Sequence, residues 1–189
     1  MARWEGNTRS RLERAALDLF AEQGYDRTTV AQIARRANLT ERSFYRWFAD
    51  KREVLFAGDD LEQRFLAALD AVPAGTGALP ALLAAFATAP EVFRPRDFLE
   101  RRAAVIAASP PLRERELIKL VALSEALTAA LVRRGCEPQS ARLATDAGLA
   151  VLRLATERWT ADEETDFAEA LSAGARDLLA VAAEAAPAG

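Results

Sequence analysis

Apolar residues recur at helical spacing over the first fifty positions, broken by short polar stretches. Leu12, Ala16, Leu19 and Phe20 share one face of a helix predicted over about 9–22. Gly24 follows as a stop, because glycine takes the left-handed conformation common after a helix, and Tyr25 is expected to pack back on that helix. Val30, Ile33 and Ala34 stripe a second helix over 30–37, which Thr29 or Thr28 can cap. Asn38 and Leu39 form the turn, since asparagine tolerates the left-handed conformation, and Leu39 plugs the angle between the helices. A short third helix runs over 41–48 from an N-cap at Thr40. Its Phe44 and Phe48 share an inward face, which leaves Arg42, Ser43, Tyr45 and Arg46 on polar edges. Residues 1–8 read as a flexible arm, in which Arg3, with Arg9 just beyond it, touches phosphate or is simply solvated.

A fourth helix is predicted over 50–70, with Leu55, Leu61, Phe65 and Leu69 as its apolar surface, followed by a loop over 71–80. Further helices are expected over 80–88, 97–108, 112–134, 139–158 and 163–183, punctuated by Pro90, Pro95, Pro110, Pro111 and Pro138. The fold class is therefore all-α. An N-terminal three-helix helix-turn-helix domain over 1–52 precedes a helical ligand-binding and dimerisation domain over 53–189, and the fourth helix bridges the two.

Composition sharpens this picture. Residues 1–52 hold 11 basic and 7 acidic side chains, whereas 53–189 hold 14 and 21. One end can face a polyanion while the rest stays acidic. The chain has one cysteine, Cys136, and no histidine, so the usual zinc and haem ligands are missing and no intrachain disulfide can form. No catalytic residue, metal or cofactor is predicted. Asp162, Glu163, Glu164 and Asp166 read as the negative first turn of a helix rather than a metal site. No apolar run is long enough to cross a membrane and no secretory leader is visible, so a cytoplasmic location with no membrane partner is expected.

A short exposed helix held on a supporting pair suits the major groove of double-stranded DNA. Arg42 can donate two hydrogen bonds to guanine, and Ser43 and Arg46 are further candidates for base or phosphate. Thr29, Tyr45 and Lys51 suit the backbone, where contacts position the protein without reading sequence. The stretches "LFAEQGYDRTTV" and "IARRANLTERSFYRWF", with the following Lys51, resemble the N-terminal domain of the TetR family of regulators over about the first 55 residues. The resemblance implies an all-helical homodimer, usually a repressor, with a variable ligand-binding domain. It implies phosphate contacts at Thr29 and Lys51 and a recognition-helix contact at Tyr45. Trp47 stands where that family commonly has histidine, so its indole either meets phosphate or packs in the core, and Asn38 replaces a common turn glycine.

A two-fold dimer would present two reading helices to an operator with inverted symmetry, in grooves about 34 Å apart. Leu143, Ala147, Val151 and Leu154 on the penultimate helix, and Phe167, Leu171 and Leu178 on the last, are the predicted dimerisation residues. Phe86, Phe98, Arg102, Val105, Ile106, Leu120 and Trp159 are the predicted walls of a pocket for an unidentified small-molecule effector, with Arg101 or Arg102 pairing with an acidic ligand. The expected function is a ligand-responsive repressor, with an activator or dual regulator of the same fold as the alternative.

Overall fold

The computed structural model describes residues 2–56 and 60–184, with side chains from residue 8 onward except that of Asp60. Among the described residues there are nine α-helices and no strand. The first three are α1 (Ala2–Gln23), α2 (Val30–Arg36) and α3 (Glu41–Tyr45). Then come α4 (Asp60–Ala71), α5 (Ala78–Phe86) and α6 (Arg96–Ala107). The last three are α7 (Pro110–Arg133), α8 (Pro138–Ala161) and α9 (Phe167–Glu184). Pro110 and Pro138 open their helices, where a missing N–H breaks no hydrogen bond.

Three stretches depart most from the sequence expectation. The arm over 1–8 is helical from Ala2, because once 9–23 supply a nucleus each further residue adds a hydrogen bond. Arg9 pairs with the buried Glu13 at 2.9 Å, while the side chain of Arg3 lies outside the described residues. The continuous helix over 50–70 is replaced by a 3-10 turn at Glu53–Leu55 and by α4. Val54, Leu55 and Phe56 are all buried, and three consecutive residues cannot all face the core from one α-helix. The acidic run 162–166 precedes α9 rather than forming its first turn: the Asp162 carboxylate accepts from Glu164 N and Thr165 Oγ1, and Asp166 accepts from Glu169 N.

The chain divides into two compact units. The first comprises Met1–Gly58 and Asp97–Lys119, and the second comprises Asp59–Arg96 and Leu120–Gly189. The division expected near residue 52 thus misses a return of the chain. Val105, Ile106 and Leu112 are buried in the core built by Leu12, Leu17, Phe20, Ile33, Phe44 and Phe48, and Phe98 packs on it. The second unit has its own core, including Phe65, Leu82, Phe86, Leu127, Val151 and Phe167. Its helices approach closely at two glycines. A Cβ at Gly148 would sit 3.2 Å from the Phe86 ring, and one at Gly174 would sit 3.2 Å from Val151.

Candidate nucleic-acid interface

The α2–α3 segment is built from capped turns. Thr29 accepts from Gln32 N at 3.2 Å, and Gln32 Oε1 accepts from Thr29 N at 2.8 Å, closing a reciprocal capping box at the start of α2. Asn38 takes φ 54°, as the turn between α2 and α3 requires, and Leu39 N donates to Ala34 O at 2.8 Å. Arg11 holds this turn from α1 by donating to the carbonyls of Ala37 and Asn38. Thr40 then caps α3 by accepting from Ser43 N at 3.1 Å.

The third helix ends at Tyr45 rather than at 48; Phe44 on α3 and Phe48 beyond the turn that follows it are buried, with ring centroids 5.2 Å apart. Arg42, Tyr45 and Arg46 stand at i, i+3 and i+4 on the opposite side, all exposed, Tyr45 by 56 %. The helix therefore presents two guanidinium groups and a phenol on one face while two aromatic rings fix the other. Ser43 does not share that face fully. It is half-buried, and its hydroxyl lies 2.9 Å from Thr40 Oγ1, so it serves the cap. Trp47 is half-buried against the first-unit core, and its Nε1 is buried without a protein acceptor. Packing rather than phosphate contact describes that indole, with Arg46 lying over its ring at 5.6 Å.

Lys51 is more tightly held than its sequence role suggests. Its ammonium donates to Tyr25 O at 2.8 Å and Thr28 O at 2.9 Å, and sits 4.1 Å from the centroid of the Tyr25 ring. Two of its three N–H donors are committed to the turn between α1 and α2, which leaves one for an outside acceptor. Burial, reinforced by the nearby Asp50 carboxylate, raises the pKa of the Tyr25 phenol. Burial alone would also raise the Asp50 carboxyl. Hydrogen bonds from the Arg52 side chain and from the Arg52 and Glu53 amides outweigh it and leave that group below its ordinary value. Thr29 stays exposed beside this turn.

Three residues with structural roles here were not among the predicted site residues. Arg11 reaches carbonyls 26 and 27 positions away, which no local pattern signals. Gln23 donates to Thr28 Oγ1 at 3.1 Å and Gln32 Oε1 at 3.2 Å, tying α1 to the capping box. Gln32 was legible, since a threonine followed three residues later by glutamine is the sequence form of that box. Arg35 and Arg36 are solvent-facing as expected, with Arg36 paired to Glu22 by two contacts of 2.8 and 2.7 Å.

The predicted effector residues are divided between the two units. Phe98, Arg102, Val105 and Ile106 belong to the first unit, and Phe86, Leu120 and Trp159 to the second. Val105 and Ile106 are core. Arg102 is occupied: it donates to Leu55 O at 2.9 Å, meets Glu116 at 3.3 Å and lies 4.9 Å over the Phe56 ring. Burial lowers its pKa, partly offset by Glu116. Phe86 is fully buried, with its ring 4.8 Å from Phe65. Trp159 stacks with Phe93 and Phe167 under Arg96, and Leu120 is 45 % exposed. The dimerisation set divides too. Val151, Phe167 and Leu171 are buried within the chain's own core, Ala147, Leu154 and Leu178 are half-buried, and Leu143 is 72 % exposed. Leu179 and Val181 add exposed apolar surface on α9.

A capped helix pair that presents one polar helix face away from its core is a helix-turn-helix module. The comparisons with known proteins agree. Residues 13–57 match the model of the bacterial regulatory proteins, tetR family. The HTH-type transcriptional regulator TcmR of Streptomyces glaucescens is 46% identical over 80 residues, which is 42% of this chain and 35% of that protein. The match thus spans about a third of that relative's length. Among solved structures, the SmeT-triclosan complex superposes with a TM-score of 0.59 at 22% identity, over 92% of this chain and 90% of that one. Thermus thermophilus FadR, a TetR family transcriptional repressor in complex with lauroyl-CoA, gives 0.53 at 24% identity, over 90% of this chain and 93% of that one. Residues 13–57 thus carry a segment similar to the domain described by the tetR family model.

Proposed function

We propose that the chain is a sequence-specific DNA-binding transcriptional regulator: a homodimeric, ligand-responsive repressor acting in the cytoplasm on an operator with inverted symmetry. The observation that carries this reading is the exposed face of Arg42, Tyr45 and Arg46, set opposite the buried Phe44 and Phe48. Arg42 and Arg46 supply forked donors for base edges or phosphates, and Tyr45 adds a hydroxyl on a flat apolar body. Thr29 and the remaining donor of Lys51 serve the phosphate backbone.

Dimerisation is assigned to the outer stripe of α8 and α9 rather than to the whole predicted set. Leu143, Ala147 and Leu154 recur at i, i+4 and i+11, and Leu178, Leu179 and Val181 are the corresponding surface on α9. Two helices from each subunit would form a four-helix interface. The effector is assigned to the second unit. The same fold in SmeT and FadR was solved with triclosan and with lauroyl-CoA, which favours a ligand with a large apolar part. An effector releases DNA only to the extent that it binds the two states with different affinity.

Selection of bound sequences from random duplex DNA tests the central claim. Recovery of an inverted repeat with half-sites about one helical turn or a multiple apart is the expected result. Failure to enrich any duplex across a range of salt concentrations would overturn it. Reporter output should rise when the gene is deleted; a fall would mean activation.

A further inference from the structure

We propose that a cleft on the first unit, between the end of α1 and one face of α6, binds a small aromatic or aliphatic carboxylate. Its volume is about 310 Å³, at the lower end of ligand pockets. Phe20 and Val105 supply large apolar walls, and Ala21 and Ala104 keep the space between the helices open. Tyr25, Arg101 and Ser109 bring polar side-chain atoms to it. A hollow that is mostly apolar with one guanidinium selects an amphipathic anion: a ring or short chain for the walls and a carboxylate for the fork.

Arg101 is suited to this in a way that Arg102 is not. Arg102 is engaged by Leu55 O and Glu116. Arg101 pairs with Asp18, from Nη2 to Oδ1 at 2.5 Å, and lies within electrostatic reach of Glu22; the Arg101 and Asp18 side chains are substantially exposed, 46% and 32%. An exposed pair of this kind is weak, so a ligand can compete for the guanidinium or share it. The residues lining the cleft all belong to the first unit, whereas the effector region proposed above is assigned to the second.

A consequence for DNA binding rests on the proposed reading of the head. Tyr25 lines the cleft and also carries the Lys51 ammonium on its ring and its carbonyl. An occupant that moves Tyr25 moves Lys51, and so alters phosphate contact.

The test is a titration of the full chain with 1-naphthoate and with the neutral 1-naphthalenemethanol, followed by calorimetry and by amide chemical shifts. The acid should bind with a dissociation constant below about 1 mM. Its shifts should fall on residues 18–25 and 101–109. Ala104→Leu, at an exposed helical position, should weaken binding at least about tenfold by filling the space, and Ala21→Leu is the second filling variant should the first fail to fold. Arg101→Gln should weaken the acid about tenfold and leave the alcohol unchanged. The site is refuted by no saturable binding at about 5 mM, by shifts confined to the second unit, or by affinity indifferent to all three substitutions. These readouts need no DNA, so they fail independently of the reading head. With a selected duplex in hand, saturating naphthoate should change its affinity by more than about threefold; an unchanged value removes the link to Lys51.

Discussion

The two units hold themselves together differently. In the first, polar side chains from distant positions close the turns: Arg11 on Ala37 and Asn38, Lys51 on Tyr25 and Thr28, and Arg102 on Leu55. In the second, Arg134 ties the carbonyls of Leu69, Val72 and Pro73 and Arg96 those of Asp162 and Thr165, but the helices themselves approach through small residues, with Gly148 under Phe86 and Gly174 against Val151. The contrast follows from what each must do. A short reading helix has few apolar contacts of its own, so its pose depends on loops, and loops hold their shape only when their carbonyls and amides are satisfied. A bundle of long helices obtains its geometry chiefly from packing, and the arginine ties of the second unit fall on the last turn of α4 and on the loops that join its helices.

Truncating an aromatic anchor breaks the first unit most severely. Phe44→Ala should cost about 3–5 kcal/mol of stability, read by denaturant unfolding, and should abolish duplex binding through loss of the head. Lys51→Met removes both a turn clamp and a cation. It should lower stability by about 1–3 kcal/mol and reduce the salt dependence of DNA binding by about one phosphate. A variant that loses only the salt term would show that the clamp is dispensable. Tyr45→Ala separates surface from core: a loss of about 1–2 kcal/mol in duplex affinity is expected, with stability within about 0.5 kcal/mol of the parent. Loss of fold instead would place Tyr45 in the core.

In the second unit, Gly148→Ala pits better helix propensity, about 1 kcal/mol, against a 3.2 Å approach to Phe86. Overpacking should win by about 1 kcal/mol and lower the melting temperature. The smallest expected effect is electrostatic. The Asp50 carboxyl is held below its ordinary value by its partners on Arg52 and Glu53. Its contribution is therefore complete above the unfolded value of about 4, and is lost as pH falls through the lower folded value. Melting of Asp50→Asn should converge on that of the parent at low pH and fall below it near neutrality. A constant gap at every pH would show that the charge is irrelevant.

The short capped helix α3 was legible in the sequence, because its evidence is local. Phe44 and Phe48 recur at four residues, Thr40 precedes them, and Asn38 sits where the left-handed turn falls. Periodicity also located α5 to α9 within a few residues, Gly24 as the stop of α1 and Tyr25 against Phe20, whose ring centroid lies 5.3 Å away. Periodicity could not say which apolar face meets which partner. Val151 and Leu143 read alike on α8, yet one is buried and the other is 72 % exposed.

From its sequence alone this protein is determined to be helical, with a polar, cationic face on a short capped helix near one end, since spacing and capping act over three or four residues. Tertiary structure alone decided that residues 97–119 return to the N-terminal unit, that Lys51 and Arg102 are tied to distant carbonyls, and that Trp47 turns its indole inward. Those partners lie 23 to 47 residues apart for the two cations, and contacts across such separations leave no periodic trace in the chain.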